Sequence, residues 1–217
     1  MYSFTEENYL KAIYKLSDVD GNGVSTNSIA ENLETKAASV TDMIKKLSNK
    51  KLLKYEKYKG VNLTPKGKDV AIQTIRKHRI WEVFLHEKLK FGWEEVHDVA
   101  EQLEHIQSEL LINKLDEFLG FPTHDPHGDP IPGKNGEFQG NPFASLDTVE
   151  IHKKVVLSGV INHSVSFLQH LKKIDLTLGQ QLTIIERNDY DQSLKLMLND
   201  QVEIFISNEV AKNILVK

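Results

Sequence analysis

Five of the six prolines fall between Phe121 and Phe143: Pro122, Pro126, Pro130, Pro132 and Pro142, with Gly128, Gly133, Gly136 and Gly140 among them. Each proline fixes φ and removes a backbone donor, so this stretch is neither a regular helix nor a central strand. It reads as a linker or long ordered loop, and it separates two regimes of hydrophobic patterning. Upstream, apolar residues recur at helical spacing, as in Tyr9, Ile13 and Leu16, or Val40, Ile44 and Leu47. Downstream, the runs VVLSGVI, QLTIIER, SLKLMLN and VEIFISN are short and β-branched, with a helical turn or two near SVSFLQHLKK. The expected fold is mainly α with α+β parts, and the chain is expected to divide at residues 1–75, 76–148 and 149–217.

The first 75 residues have a specific order. Helix 1 is expected over Thr5–Ser17 with Thr5 as N-cap, helix 2 over Thr26–Glu34, and helix 3 over Ala38–Lys50. LeuLeuLysTyrGluLysTyr, a LysGly turn and ValAsnLeuThr then make a β-hairpin, and Pro65 opens the next helix from its favoured first position. Helix–turn–helix plus a two-stranded wing is a winged helix-turn-helix. Charge agrees with that reading. Between Lys36 and Lys68 there are ten lysines and two acids on a chain whose net charge is −4, which points to a polyanion partner for this region alone. Helix 3 would enter the major groove with Ala37, Ala38, Ser39, Thr41 and Asp42, small residues suited to close approach and thymine-methyl contact. Lys36, Lys45, Lys46, Lys54, Lys57 and Lys59 sit where phosphates would pass.

The chain has no cysteine, which excludes disulfides, thiolate zinc fingers, cysteine-held iron–sulfur clusters and a thiol nucleophile. Any metal is left to His, Asp, Glu, amide, carbonyl or water. No apolar run approaches the roughly 20 residues of a membrane span, and MYSFTEENYLK lacks the pattern of a signal peptide, so a soluble cytoplasmic protein with no membrane partner is expected. His97, Glu101, Glu104 and His105 stand at i, i+4, i+7 and i+8, within about 100° of arc on a helix. His78 and Glu82 are an i, i+4 pair. Imidazole and carboxylate without thiolate suit Mn(II), Fe(II), Co(II) or Zn(II). The same spacing equally suits a hydrated polar stripe opposite a leucine seam. Leu103, Ile106, Leu110, Leu111 and Leu115 form such a seam, suited to a homodimer or to burial within one chain.

Taken together, ThrGluGluAsnTyrLeuLysAlaIleTyr, the winged helix ending in ThrProLysGly, LysHisArg-x-x-Glu, ValHisAsp…Glu-x-x-GluHis and the loop HisAspProHisGlyAspProIleProGly follow one order. In that order the chain resembles the diphtheria-toxin-repressor family of metal-activated bacterial transcriptional repressors. The likeness runs over about residues 3–133 and extends to a C-terminal SH3-like small β-barrel, for which residues 149–217 fit. It implies a winged-helix DNA-binding domain, a helical dimerisation domain, a homodimer and a palindromic double-stranded DNA operator. It also implies an activating metal site of Glu101, Glu104, His105 and Asn8, and an ancillary site of His78, Glu82 and His97 completed by Asp125, His127 or His163.

The position of Glu101 is cysteine in the family's iron-responsive branch and a carboxylate in its manganese-responsive branch. The hard donor favours Mn(II), with Fe(II) as the alternative. Two departures stand out. Position 8 carries Asn where the family usually has Met or Asp, and Lys11 replaces the Glu of the two-domain manganese regulators. An ammonium is no ligand, so a closely spaced dimanganese pair is not expected. The resemblance therefore implies a regulator of metal-uptake genes and no enzyme. Two other readings stay open: a winged-helix regulator of a non-metal ligand, and a metal-dependent hydrolase built on His124, Asp125, His127 and Asp129.

Overall fold

The computed structural model describes residues 2–17, 23–56, 59–138 and 143–217. Lys57, one of the expected phosphate contacts, and Gly140 and Pro142 of the Pro/Gly stretch lie outside the described residues. Helices α1 (Phe4–Leu16), α2 (Thr26–Asn32) and α3 (Ala37–Asn49) are followed by strands β1 (Leu53–Glu56) and β2 (Gly60–Leu63). Helices α4 (Pro65–Glu87), α5 (Val96–Leu103) and α6 (Glu109–Phe118) come next. The remainder holds β3 (Ala144–Ser145), β4 (Lys154–Val160), α7 (Val165–Lys173), β5 (Gln181–Arg187), β6 (Leu194–Leu198), β7 (Val202–Ile206), α8 (Asn208–Lys212) and β8 (Ile214–Val216). The chain forms two compact units: residues 1–78, 101–114 and 132–138 make the first, and 79–100, 115–131 and 139–217 the second.

In the first unit, Leu10 and Ile13 of α1, Ile29 of α2, Val40 and Leu47 of α3, Leu52, Leu53 and Val61 share one buried core. Fully burying each large side chain contributes about 1.5–3 kcal/mol before entropy is counted. The wing is the antiparallel β1–β2 hairpin, and Val61 also bridges Val24. Gly60, at φ +88°, permits the tight turn there, since a Cβ would stand 2.7 Å from the carbonyl oxygen of Gly23.

The start of α1 differs from the expected one. Its N-cap is Ser3 and not Thr5, because Ser3 and Glu6 form a reciprocal capping box that satisfies two otherwise unpaired N–H groups. Glu6 also receives Lys46 at 3.0 Å and Lys50 at 2.6 Å, which ties α1 to α3.

In the second unit, six antiparallel strands run in the order β3–β8–β4–β5–β6–β7. β4 and β5 each contain a register shift, and such bulges sharpen the bend of a small curled sheet. The core is Leu157, Leu168, Leu171, Leu182, Ile184, Leu194 and Leu196, together with Trp93 from the segment before α5. β3 pairs with β8 and Leu146 is fully buried in this core, so the sheet takes in residues ahead of the expected division at 149. Two-residue β3 is invisible to that patterning, as are α8 and β8. Among the described residues no helix is long and apolar enough to cross a membrane.

Burial works against the Glu6 carboxylate, but hydrogen bonds from Lys50 and Lys46 outweigh it and hold its pKa at about 2. A depressed carboxylate contributes stability above its ordinary value of 4.5 and loses it as pH falls toward 2. Glu6→Gln is expected to cost roughly 1.5–3 kcal/mol at pH 7, the range for hydrogen bonds to a charged group. Urea denaturation should show the gap between the two proteins closing as pH falls from 4.5 toward 2.

Candidate metal centres and DNA-reading face

The first cluster lies inside the first unit. Lys11 projects from the middle of α1, and its Nζ donates to Glu101 Oε1 at 2.6 Å and to Glu104 Oε1 and Oε2 at 2.7 and 2.8 Å. Glu104 is fully buried and Lys11 is 6 % exposed. His78 Nδ1 meets Glu104 Oε2 at 2.7 Å and lies 4.0 Å from Glu101. His105 Nδ1 meets Glu7 Oε2 at 2.7 Å. A carboxylate facing Nδ1 makes that nitrogen the donor in the neutral ring and leaves the lone pair on Nε2, 3.8 Å from Glu104 Oε1. Phe4 stacks on the His105 ring at 4.6 Å between centroids. The buried amide oxygen of Asn8 accepts no hydrogen bond among the described residues.

Glu7 carries no signal in the sequence patterning, although it orients His105, is braced by Gln107 at 2.9 Å, and has Lys77 3.9 Å away. Burial beside Glu7 and Glu104 lowers the Lys77 pKa, the desolvation exceeding what the two carboxylates restore.

The single helical arc expected for His97, Glu101, Glu104 and His105 does not form. α5 ends at Leu103, so Glu104 and His105 are presented from the turn that follows. His97 belongs to the second unit, where its Nδ1 lies 3.5 Å from Glu82 Oε1.

The second cluster lies inside the second unit. Glu82, Asp125 and His127 are all buried, and they offer ligand atoms that lie within 4.8 Å of one another. His127 Nε2 donates to the carbonyl of Trp93 at 2.8 Å, which leaves the neutral ring's lone pair on Nδ1, 3.6 Å from Glu82 Oε1. Asp125 Oδ1 accepts from the backbone N–H groups of His127 and Asp129, whereas its buried Oδ2 accepts no hydrogen bond among the described residues. His163 stacks on His127 at 4.8 Å between centroids, and its Nε2 donates to Val160. Gly128, at φ +88°, lets this loop press on β4, where a Cβ would stand 2.6 Å from the Cα of Gly159.

Burial first, then the charges of Glu82 and Asp129, push the Asp125 pKa up to about 8. Burial opposes a charged His127 ring, but neighbouring Glu82 and Asp125 outweigh it and raise its pKa. Burial also lowers the His163 pKa. The other members of the suspected hydrolase cluster are engaged elsewhere. Asp129 pairs with Arg79 at 2.7 Å, and His124 bonds Thr123 and stacks on Phe143. Arg79, which steadies Asp129 and the carbonyl of Pro130, is another residue that sequence reasoning misses.

On α3 the apolar stripe Val40, Ile44 and Leu47 is buried, and the opposite face, led in by Lys36, carries Ala37, Ala38, Ser39, Thr41, Asp42, Lys45 and Lys46, all of them exposed. The Thr41 hydroxyl bonds back to Ala37, so its methyl is what this side chain offers outward. Lys54 and Lys59 of the wing are exposed as well.

Three family profiles match successive parts of the chain. "Iron dependent repressor, N-terminal DNA binding domain" matches residues 1–61, "Iron dependent repressor, metal binding and dimerisation domain" matches 64–133, and "FeoA domain" matches 144–217. A solved manganese-dependent transcriptional repressor in complex with manganese is 30% identical with a TM-score of 0.79, covering 97% of this chain and 98% of that one. The chain belongs to the diphtheria-toxin-repressor family of metal-dependent transcriptional repressors.

Within that family, the manganese regulator SloR is 32% identical with a TM-score of 0.70, covering 98% of this chain and 97% of that one. The iron-dependent repressor IdeR of Mycobacterium leprae (strain TN) is 37% identical over 129 residues, 59% of this chain and 56% of the relative. The match therefore spans little more than half of that curated relative's length. These family members are repressors and not enzymes, which overturns the hydrolase alternative.

Between pH 3.8 and about 8 the folded chain holds the Asp125 proton that the unfolded chain has released. Folded protein then binds more protons, so this group's contribution to stability falls as pH rises through that window. In EDTA, the melting temperature of the wild type relative to Asp125→Asn is expected to drop steadily from pH 4 to pH 8. Equal slopes for the two proteins would contradict the assignment.

Proposed function

We propose that this chain represses transcription as a homodimer on a palindromic operator in the bacterial cytoplasm, with Mn(II) as cognate co-repressor in preference to Fe(II). The observation that carries the proposal is the Glu101–Glu104 pair, which already grips a cation 2.6–2.8 Å away. The residues fit a divalent ion. Glu101, Glu104, His105 through Nε2 and the orphaned oxygen of Asn8 would hold it, with His78 beside Glu104. A second ion would sit at Glu82, Asp125 and His127, flanked by His97 and His163. Carboxylate, imidazole and amide donors on a chain without thiolate favour Mn(II) over softer ions.

A bound divalent ion supplies a positive charge shared between α1 and the 101–105 turn. The chain's own residues carry the rest. α1 belongs to the same packed core as α2 and α3, so fixing Asn8 fixes the helix that presents Ala37, Ala38, Ser39, Thr41 and Asp42. Lys36, Lys45, Lys46, Lys54 and Lys59 face the phosphates, which makes affinity strongly salt-dependent. Leu110 and Leu111 of α6 are 72 % and 41 % exposed, a seam suited to a second copy of this chain. Two recognition helices held about 34 Å apart then read successive major grooves.

Fluorescence anisotropy with DNA from upstream of the chain's own gene and of neighbouring metal-transporter genes tests this reading at one fixed salt concentration. Tight binding is expected with Mn(II) or anaerobic Fe(II) and not with EDTA. The double variant Glu104→Ala with His105→Ala should lose the metal response, which for a coupling of about 1–3 kcal/mol per site means roughly 5–150-fold. A double variant whose DNA affinity remains equally metal-dependent would defeat the proposal.

A further inference from the structure

We propose that Lys11 is a tethered cation that fills the Glu101–Glu104 carboxylate pair in the metal-free protein, so that metal must displace its ammonium and Lys11 sets the metal threshold. The inference rests on the reading that these carboxylates hold the activating ion. Three contacts of 2.6–2.8 Å place one ammonium on both carboxylates. Glu104 uses both oxygens on Lys11, and Oε2 also meets His78 at 2.7 Å, so a metal approaching Glu104 competes with the ammonium at both oxygens. The buried Asn8 Oδ1, in contrast, is left without any hydrogen-bond partner among the described residues, and His105 keeps Nε2 directed toward Glu104 at 3.8 Å. Half of the ligand set is thus open while the other half is held by the ammonium.

A fully buried Glu104 carboxylate beside the partly buried Glu101 is destabilised without a counter-charge, so the metal-free cluster needs a cation. Lys11 supplies one from within α1. It also holds α1 to the 101–104 segment without metal, which makes the metal-free unit less slack than an empty ligand set would be. The ammonium stem is unbranched and flexible, and Glu101 is only partly buried, so an exit for the displaced charge lies beside the site.

Removing the competing charge should tighten metal binding and weaken the metal-free fold together. Lys11→Met, Lys11→Gln and Lys11→Arg are compared with wild type by Mn(II) titration, read from the EPR signal of free Mn(II), and by melting temperature in EDTA. Lys11→Met and Lys11→Gln are expected to bind Mn(II) at this site at least roughly tenfold more tightly, to melt lower in EDTA, and to show a larger stabilisation by Mn(II). Lys11→Arg retains the charge and should stay within about threefold of wild type, a distinction that a purely packing role would not produce.

Glu104→Gln is made in the wild-type and Lys11→Met backgrounds. If it weakens the same binding event in both, the ion sits at this site, and an unchanged or weaker affinity in Lys11→Met then overturns Lys11 as competitor. If Glu104→Gln leaves Mn(II) binding untouched in both, the site reading fails and the inference falls with it. Should Lys11→Met not fold, Lys11→Gln and Lys11→Arg make the same comparison, with and without Glu104→Gln.

Discussion

Buried carboxylates need positive charge, and that requirement organises both candidate metal centres. In the first unit Glu104 is completely buried, and the ammonium of Lys11, delivered from α1, balances it together with Glu101. Breaking such a buried pair by removing one partner commonly costs several kcal/mol, since the surviving charge is left desolvated. The geometry of α1 relative to the 101–105 turn is thus set by electrostatics within one packed unit. The same α1 is anchored at its N-terminus by Ser3 and Glu6, with Lys46 and Lys50 closing on Glu6 from the end of α3. A helix fixed at both places carries the DNA-reading helix with it through Leu10, Ile13, Val40 and Leu47.

The second unit meets the same requirement differently. Asp125 and Glu82 have no lysine between them. Burial and mutual repulsion instead keep a proton on Asp125 far above the ordinary carboxylate range, and draw one toward His127. The first cluster is therefore balanced by a tethered ammonium, whereas at the second the Arg79 guanidinium, 3.5 Å from Asp125 Oδ2, does not offset burial and repulsion. Metal entry at the second cluster would release protons, whereas entry at the first would release a side chain. This makes the two centres chemically distinct although their donor sets are similar.

Much of this is legible in the residues, and for identifiable reasons. Pro65 opening α4, the LysGly turn of the wing and the Val40–Ile44–Leu47 stripe are local signals, and each element lies where those signals put it. The exposed small face of α3 follows from the same periodicity. Harder to see are features that depend on distant residues. Periodicity treats Glu104 and His105 as helical, but α5 ends at Leu103. Glu7 and Arg79 look like ordinary surface charges until folding sets Glu7 against His105 and Arg79 against Asp129. Lys11 is readable as a non-ligand, but its contact with both carboxylates emerges only once α1 packs beside the 101–105 turn. β3 and β8 are too short to carry a period and exist through pairing with each other and with β4.

Thermodynamic linkage gives the most direct test that metal binding and DNA binding are one coupled equilibrium. Mn(II) affinity should be measured with and without saturating operator DNA, alongside DNA affinity with and without saturating Mn(II), at one pH and one salt concentration. The predicted result is that DNA raises Mn(II) affinity by the same factor by which Mn(II) raises DNA affinity. Mn(II) affinity that is indifferent to DNA would contradict it and leave a metal-binding winged-helix protein with no metal switch.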